Sequence, residues 1–155
     1  MKFRSILLAT LLSTLSSGLL PTTATHAQQP QLALVRLTAG MHVVQAEVAD
    51  SFGTRMQGLM KRESLAPNYG MLFLFEADDR QCMWMKNTLI PLSVAFIDAQ
   101  GAIVNVADMQ PLSEQSHCSA HPARYALEMT QGWFRERGLK PGTRIQGIPG
   151  AAPRP

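Results

Sequence analysis

The sequence predicts an all-β domain, either a β-sandwich or a partly closed barrel, with one or two short helices. Short apolar segments alternate with turns that contain Gly or Pro, and helical patterns are few and short. Residues 94–106 also carry a clear hairpin pattern, whose turn holds Gly101, a residue suited to left-handed backbone. The chain contains no internal repeats.

The extended segments follow the chain in order and are bounded by turn residues. They are predicted at residues 32–37, 41–48, 71–75, 82–88, 94–97, 102–106, 125–129 and 143–148. Ala39-Gly40 joins the first two as a hairpin, residues 76–80 are predicted to form a charged turn, and Pro91 falls where a strand must end. Residues 111–122 have no periodicity and predict a loop.

Two helices are predicted between these segments. Residues 51–60 can form a helix because Ser51 can cap it and apolar residues recur on one face. That face consists of Phe52, Met56, Leu59 and Met60. Residues 132–137 predict a second, short helix that stops at Gly138.

The N-terminus has the features of a secretory signal segment, predicted over residues 1–27. Lys2 and Arg4 precede an apolar stretch at residues 6–20, and Thr25-His26-Ala27 offers small residues for cleavage. The apolar stretch is shorter than the ~20 residues of a membrane span. We therefore expect a single domain over residues 28–148, a flexible tail at 149–155, and a monomeric protein in the periplasm or outside the cell.

Charge makes nucleic acid an unfavourable partner. Loss of Lys2 and Arg4 with the signal leaves twelve basic and eleven acidic residues, so the net charge falls from +3 to +1. No basic cluster occurs beyond Lys61-Arg62. The expected partner is a small molecule, a glycan or an envelope protein, without a permanent cofactor and without a membrane span after cleavage.

Cys82 and Cys118 are the two cysteines of the chain, and both follow the signal segment. An even count in an exported chain favours a disulfide between them. The alternatives are a redox-active pair or a metal thiolate.

Residues 82–92 hold the most unusual mixture of side chains in the sequence. In an extended segment Met83, Met85 and Asn87 would share one face and Trp84, Lys86 and Thr88 the other. Either the apolar members pack the core, or Trp84, Lys86, Asn87 and Thr88 contact a ligand in a cleft.

Arg55, Glu63 and Glu128 are candidate supporting charges for that cleft. Glu63 and Glu128 could serve as the two acids of a glycan-active enzyme. Alternatively, Glu128 is a buried partner of Arg55 or Lys86, and Arg55 belongs to an ordinary ion pair.

Met83 and Met85 also suggest a periplasmic Cu(I)-binding protein, because thioethers are soft ligands. His117 could add a nitrogen ligand. Zinc binding by His117-Cys118-x-x-His121 would need a free Cys118 thiol. Nucleophilic catalysis has no recognisable motif in this chain.

Several motifs over residues 47–142 are similar to those of the DUF192 family of small, mostly uncharacterised bacterial and archaeal domains. They are Glu47-Val48-Ala49-Asp50, Arg55 with Gly58-Leu59-Met60, Arg62-Glu63-Ser64-Leu65, Gly70-Met71-Leu72-Phe73-Leu74-Phe75, Trp84-Met85-Lys86-Asn87-Thr88, Phe96-Ile97-Asp98, Gly101-Ala102-Ile103-Val104, Tyr125-Ala126-Leu127-Glu128 and Gly132-Trp133-Phe134. The resemblance implies a compact β-rich domain and brings no established activity. We therefore expect binding rather than turnover.

Overall fold

The computed structural model describes residues 32–151, which form nine strands and two short helices. The strands are β1 Leu34–Ala39, β2 His42–Ala49, β3 Tyr69–Asp79, β4 Cys82–Met83, β5 Leu92–Ile97, β6 Ile103–Met109, β7 His117–Cys118, β8 Ala123–Thr130 and β9 Ile145–Gln146. The helices are α1 Phe52–Gln57 and α2 Trp133–Glu136. The predicted signal segment 1–27 and the end of the predicted tail lie outside the described residues.

Seven strands form one curled sheet in the order β6-β5-β8-β3-β2-β1-β9, while β4 and β7 pair separately as a two-stranded ribbon. The predicted all-β class is confirmed, and the sheet takes the form of a curled half-barrel. β2 and β3 run parallel, so their connection must cross over, and α1 lies in that connection. The crossover places α1 beside β3, where it later forms a wall of the candidate site.

Both faces of the sheet are covered, because successive side chains of a strand point to opposite sides. Leu72 and Leu127 belong to one apolar cluster, which also contains Trp133 and Phe134 of α2. The residues next to Leu72 and Leu127 in their strands point to the other side of the sheet, into a second apolar cluster. This cluster holds Leu59 and Met85 as well as residues of β3, β5 and β8. The second cluster lies on the same side as α1's connection and carries the candidate site.

The first helix is shorter than the prediction over residues 51–60. Ser51 caps it as predicted and forms a capping box with Thr54. The helix stops at Gly58, whose φ of 48° departs from helical backbone. Because the chain turns there, Leu59 reaches the core while Phe52 and Met56 remain exposed.

The hairpin over residues 94–106 is confirmed as β5 and β6. The Asp98 carboxylate accepts hydrogen bonds from the backbone N–H groups of Gln100 and Ala102, at 2.9 and 2.8 Å, and Gly101 has a φ of 82°. The predicted charged turn at 76–80 is wrong, since β3 continues to Asp79 and pairs there with Ala123. Its last four residues are exposed, which explains their polar character.

The remaining predictions differ mainly in length. The strand predicted over 143–148 is only Ile145–Gln146, and the loop predicted over 111–122 contains β7. Ala151 packs against the first apolar cluster. Among residues 32–151, no helix combines the length and apolar character needed to cross a membrane.

Candidate functional site

A cleft of about 190 Å³ opens on the side of the sheet that carries the second apolar cluster. It is lined by α1 and the turn after it, by β3, by the start of the segment after β4, and by one residue of β8. The lining residues are Phe52, Arg55, Met56, Gln57, Gly58, Leu59, Met60, Phe73, Phe75, Cys82, Met83, Trp84, Thr88 and Glu128. We call this feature the α1 cleft.

The segment that begins at Cys82 lines the α1 cleft, but not as the extended strand predicted over residues 82–88. β4 ends at Met83, and a turn follows in which the Thr88 N–H donates to the Met85 carbonyl at 3.0 Å. Asn87 takes a positive φ of 60° in this turn. The predicted alternation of faces is therefore wrong, and the neighbours Met83 and Trp84 line the same cleft.

The rim of the α1 cleft exposes large apolar side chains. Phe52 is 73% exposed, Trp84 is 40% exposed, and Met56 is also exposed, although all three line the cleft. None of the residues of α1 is buried, so the apolar side of this helix is not covered by residues 32–151. Such a rim around a concave surface is typical of a binding site.

Arg55 fixes α1 against β3. Its Nη1 donates to the carbonyls of Asp50 and Leu74, at 2.7 and 3.0 Å, and its Nη2 donates to the Glu76 carboxylate at 2.9 Å. The guanidinium is therefore engaged by three acceptors, and its charge is paired with Glu76. The expectation that Arg55 belongs to an ordinary ion pair is confirmed.

Glu128 lines the α1 cleft and is only 4% exposed. Its strand, β8, is central in the sheet, and the residues opposite it are Met71 of β3 and Val94 of β5. Both neighbours are apolar and fully buried. Burial disfavours the ionised carboxylate and raises the pKa of Glu128 from 4.5 to about 8.

The hypothesis that Glu128 is a buried partner of Arg55 or Lys86 is wrong. Arg55 pairs with Glu76, and Lys86 pairs with Glu114 at 3.6 Å. Within residues 32–151, no side chain forms an ion pair with the Glu128 carboxylate, and burial alone accounts for the raised pKa. Thr88 is the other buried polar residue of the lining.

Cys82 and Cys118 form a disulfide, as predicted. They are directly paired residues of β4 and β7, so the bond closes the two-stranded ribbon. Cys82 lines the α1 cleft immediately before Met83 and Trp84. The disulfide therefore holds the wall to which Trp84 belongs.

Three of the predicted site residues do not line the α1 cleft. Lys86 is exposed and places its Nζ 5.5 Å from the centroid of the Trp84 ring. Asn87 is exposed in the turn, and its carbonyl accepts the Lys61 N–H at 2.9 Å. Glu63 is also exposed. The structure thus brings together four of the seven predicted contacts: Arg55, Trp84, Thr88 and Glu128.

The two candidate thioether ligands, Met83 and Met85, differ in burial. Met83 lies opposite His117 in the ribbon, whereas Met85 is fully buried in the second apolar cluster. Across the part of the chain that the structure describes, no group of three or more His, Cys, Asp or Glu residues could hold a metal ion. The zinc hypothesis needs a free thiol, and Cys118 is oxidised.

Sequence reasoning missed most of the aromatic lining. Phe73 and Phe75 were identified only as part of a buried strand, and Phe52 and Met56 only as a core-facing helix side. The two-residue spacing of Phe73 and Phe75 was the available signal, since it puts both rings on one face of β3. The parallel crossover that brings α1 to this face has no signature in the local sequence.

The curled half-barrel, the two-stranded ribbon, the two short helices and the cleft beside α1 define the protein as a small β domain. The chain belongs to the DUF192 family, described as "Uncharacterized ACR", whose pattern matches residues 35–147. No curated protein matches this chain.

Two solved structures share the fold. A candidate transcription regulator from Sinorhizobium meliloti 1021 is 36% identical and superposes with a TM-score of 0.72. That match covers 77% of this chain and 98% of the other. A protein of unknown function from Novosphingobium aromaticivorans DSM 12444 is 31% identical, with a TM-score of 0.71, over 81% of this chain and 98% of its own.

Proposed function

We propose that this protein is an exported, non-catalytic binding protein of the cell envelope, and that the α1 cleft takes a small ligand or one side chain of a partner. One observation carries the proposal: a buried carboxyl residue, Glu128, has no ion-pair partner among residues 32–151, and it lines a cleft with an exposed apolar rim. Burying such a group without a counter-charge is costly for folding. A ligand that reaches it accounts for its presence.

Binding is favoured over glycan hydrolysis by the acids of the cleft. Glycan-active enzymes of the usual kind place two carboxyl groups about the scissile bond. Glu128 is the one carboxyl residue in the lining, because Glu63 is exposed and lies outside it. A site with one carboxyl residue and an aromatic ring for stacking suits ligand binding better than glycan hydrolysis.

Copper binding is the second candidate, and it rests on Met83. The ribbon places Met83 opposite His117, so one thioether and one imidazole belong to neighbouring residues. Met85, the other thioether of the original hypothesis, packs in the core with no exposed surface. A copper site would therefore need Met83 and His117 to act without Met85 or with repacking of the core.

The two tryptophans allow a direct test of the cleft. Trp84 lies at the rim, whereas Trp133 is buried and donates its indole N–H to Asn68 at 3.0 Å. We would screen small organic cations, anions, sugars and neutral amides by NMR of the two indole N–H signals. We expect a ligand to shift the Trp84 signal and leave the Trp133 signal in place.

A matched pair of variants controls this screen. Phe52→Ala removes a rim ring, whereas Met41→Ala removes an 87% exposed apolar side chain that is not in the cleft lining. Binding should weaken in Phe52→Ala and persist in Met41→Ala. The proposal fails if no compound shifts Trp84, or if every shift survives Phe52→Ala unchanged.

A further inference from the structure

We propose that the α1 cleft recognises an organic ammonium cation on a short apolar stem, whose charge lies between aromatic rings and the Glu128 carboxylate. This inference rests on the proposed binding function and adds the class of ligand. It stands on the aromatic lining, the lone carboxyl, the engagement of Arg55 and the size of the cleft.

Aromatic rings form part of the walls of the cleft. The four rings in the lining are Phe52, Phe73, Phe75 and Trp84. The face of an aromatic ring attracts a cation, Trp most strongly, and cages of such rings recognise alkylated ammonium groups. The Trp84 ring already has one ammonium group nearby, because Lys86 Nζ lies 5.5 Å from its centroid, and a ligand cation would have to share the ring with this like charge.

Glu128 supplies the one property that the rings lack, which is a full negative charge. A glutamine at this position would offer hydrogen bonds without the cost of burying an acid, so a purely neutral ligand does not explain a glutamate. A cation within a few ångströms favours the ionised form of a carboxyl. A bound ammonium group would thus convert Glu128 to a carboxylate and gain a buried counter-charge.

Arg55 is the other charged residue in the lining, and its contacts argue against an anionic ligand. Its guanidinium donates to two backbone carbonyls and to Glu76, which neutralises its charge. An anion would have to compete with these acceptors and would approach Glu128 as well. The apolar side chains of the lining suit a methyl or methylene stem.

The volume limits the ligand to one small group. A cleft of about 190 Å³ is below the roughly 300 Å³ at which pockets for drug-sized molecules begin. A trimethylammonium or alkylammonium group with a short stem fits that limit. It could come from a free small molecule or from a lysine side chain, and the probes below distinguish these sources.

The test compares choline with its uncharged isostere, 3,3-dimethylbutan-1-ol, on the oxidised full-length mature protein. Binding is followed by calorimetry and by the Trp84 indole signal. We expect the isostere to bind at least about tenfold more weakly, because only the charge differs. Blocked lysine and blocked trimethyl-lysine amides are the second pair of probes, and tighter binding of either amide than of choline assigns the source to a polypeptide.

Glu128→Gln is the decisive variant, since it keeps the shape of the side chain and removes the charge. We expect it to lose about tenfold or more in choline affinity, while Met41→Ala keeps the affinity of the unmodified protein. Glutamine is less costly to bury than a glutamate, so this variant should fold. A change to Gln that leaves choline affinity intact overturns the inference.

The pH dependence gives an independent readout. Because the pKa of Glu128 is raised to about 8, cation binding below that pH must release a proton. The residues facing Glu128 from β3 and β5 are Met71 and Val94, and the lining holds no other titrating acid or base except Arg55, since Cys82 is oxidised. Choline affinity should rise by up to about tenfold per pH unit toward pH 8 and then level off, with no such slope in Glu128→Gln.

The possible failures are distinguishable. If choline and the lysine amides do not bind but other compounds shift Trp84, the ammonium inference is wrong and the binding function stands. If the uncharged isostere binds as tightly as choline, the inference is also wrong. If no probe of any class shifts Trp84, both proposals fail.

Discussion

Glu128 is placed where an apolar residue would pack better. Its neighbours across the sheet, Met71 and Val94, are fully buried, and both belong to the second apolar cluster. The resulting desolvation raises the pKa of its carboxyl to about 8, so this group is mainly protonated at neutral pH. The free protein therefore gives up stability at this position, as binding sites often do.

The stability of the protein should fall as the pH rises from about 4.5 to about 8. Between these values the folded state keeps a proton on Glu128 that the unfolded state, with its ordinary pKa of 4.5, has lost. Each pH unit in this window costs at most about 1.4 kcal/mol of the free energy of unfolding. Glu128→Gln removes the cost, so its advantage over the unmodified protein should grow with pH.

Urea unfolding of both proteins at several pH values measures this difference. The two free energies should lie close together near the acid end of the window and separate towards pH 8, with the variant more stable. The carboxyl of Asp108, whose pKa is lowered chiefly by its hydrogen bond from Ser93, is common to both proteins and titrates below the window. A difference in the free energy of unfolding that does not change with pH would contradict the raised pKa of Glu128.

At the residue scale, part of the site was predictable. An acid within an apolar strand marks Glu128, and a tryptophan beside polar residues marks Trp84 and Thr88. The partners of charged residues were not predictable, because Glu76 and Glu114 are near Arg55 and Lys86 only in the folded chain. Glu63 was predicted as a second acid beside Glu128, but the fold leaves it exposed.

The ribbon of β4 and β7 is the element that depends most on a covalent bond. Each strand has two residues, too few for two strands to pair stably on their own. The disulfide joins Cys82 to Cys118 across a sequence separation of 36. Three hydrogen bonds assist the disulfide. Two of them join Gln81 and Ser119, and the third runs from the Met85 N–H to the Ser113 carbonyl.

Replacing both cysteines, Cys82→Ser with Cys118→Ser, should lower the free energy of unfolding by about 2–4 kcal/mol, since the open chain regains conformational freedom. The Trp84 indole signal should broaden, because the bond holds the wall that carries it, while the Trp133 signal stays sharp. Urea unfolding and the NMR spectrum provide these measurements.

Reduction of the unmodified protein by a dithiol serves as the control for that variant. It should reproduce the loss of stability and have no effect on the doubly substituted protein. An equal melting temperature for the oxidised protein and the double variant would show that the ribbon does not need the bond.

Elements with strong local signals were predicted accurately, and those set by long-range contacts were not. The Asp98–Gly101 turn specifies its hairpin locally, and Ser51 caps α1. The end of α1 at Gly58 and the turn after Met83 depend on what the chain packs against next. A local pattern cannot show that apolar residues of a short helix will line a cleft instead of the core.

On the scale of the whole molecule, export remains a prediction, and intact-mass analysis tests it. Protein expressed with its leader should begin at Gln28 and weigh less than the reduced mature chain by the mass of two hydrogen atoms, because of the disulfide. Native spectra of the same sample, purified without chelators, show whether a ligand is retained. A retained copper ion would favour the Met83 and His117 site over the ammonium site.

A mass that includes residues 1–27 would contradict cleavage of the leader. Cleavage at another position would leave export intact and correct only the boundary. The unmodified protein and a variant whose apolar stretch at 6–20 is interrupted by charged residues form a matched pair. The interrupted leader should keep the chain inside the cell, where a reducing environment opposes the disulfide.

The central position of β8 determines when this protein can fold during its synthesis. β8 lies between the hairpin of β5 and β6 on one side and the unit of β1, β2 and β3 on the other. A nascent chain that stops before Ala123 therefore holds two separate pieces of sheet and cannot bring Met71 opposite Glu128. Long-range pairing of this kind slows folding, so we expect the sheet to close only after residues 123–130 are free to pair.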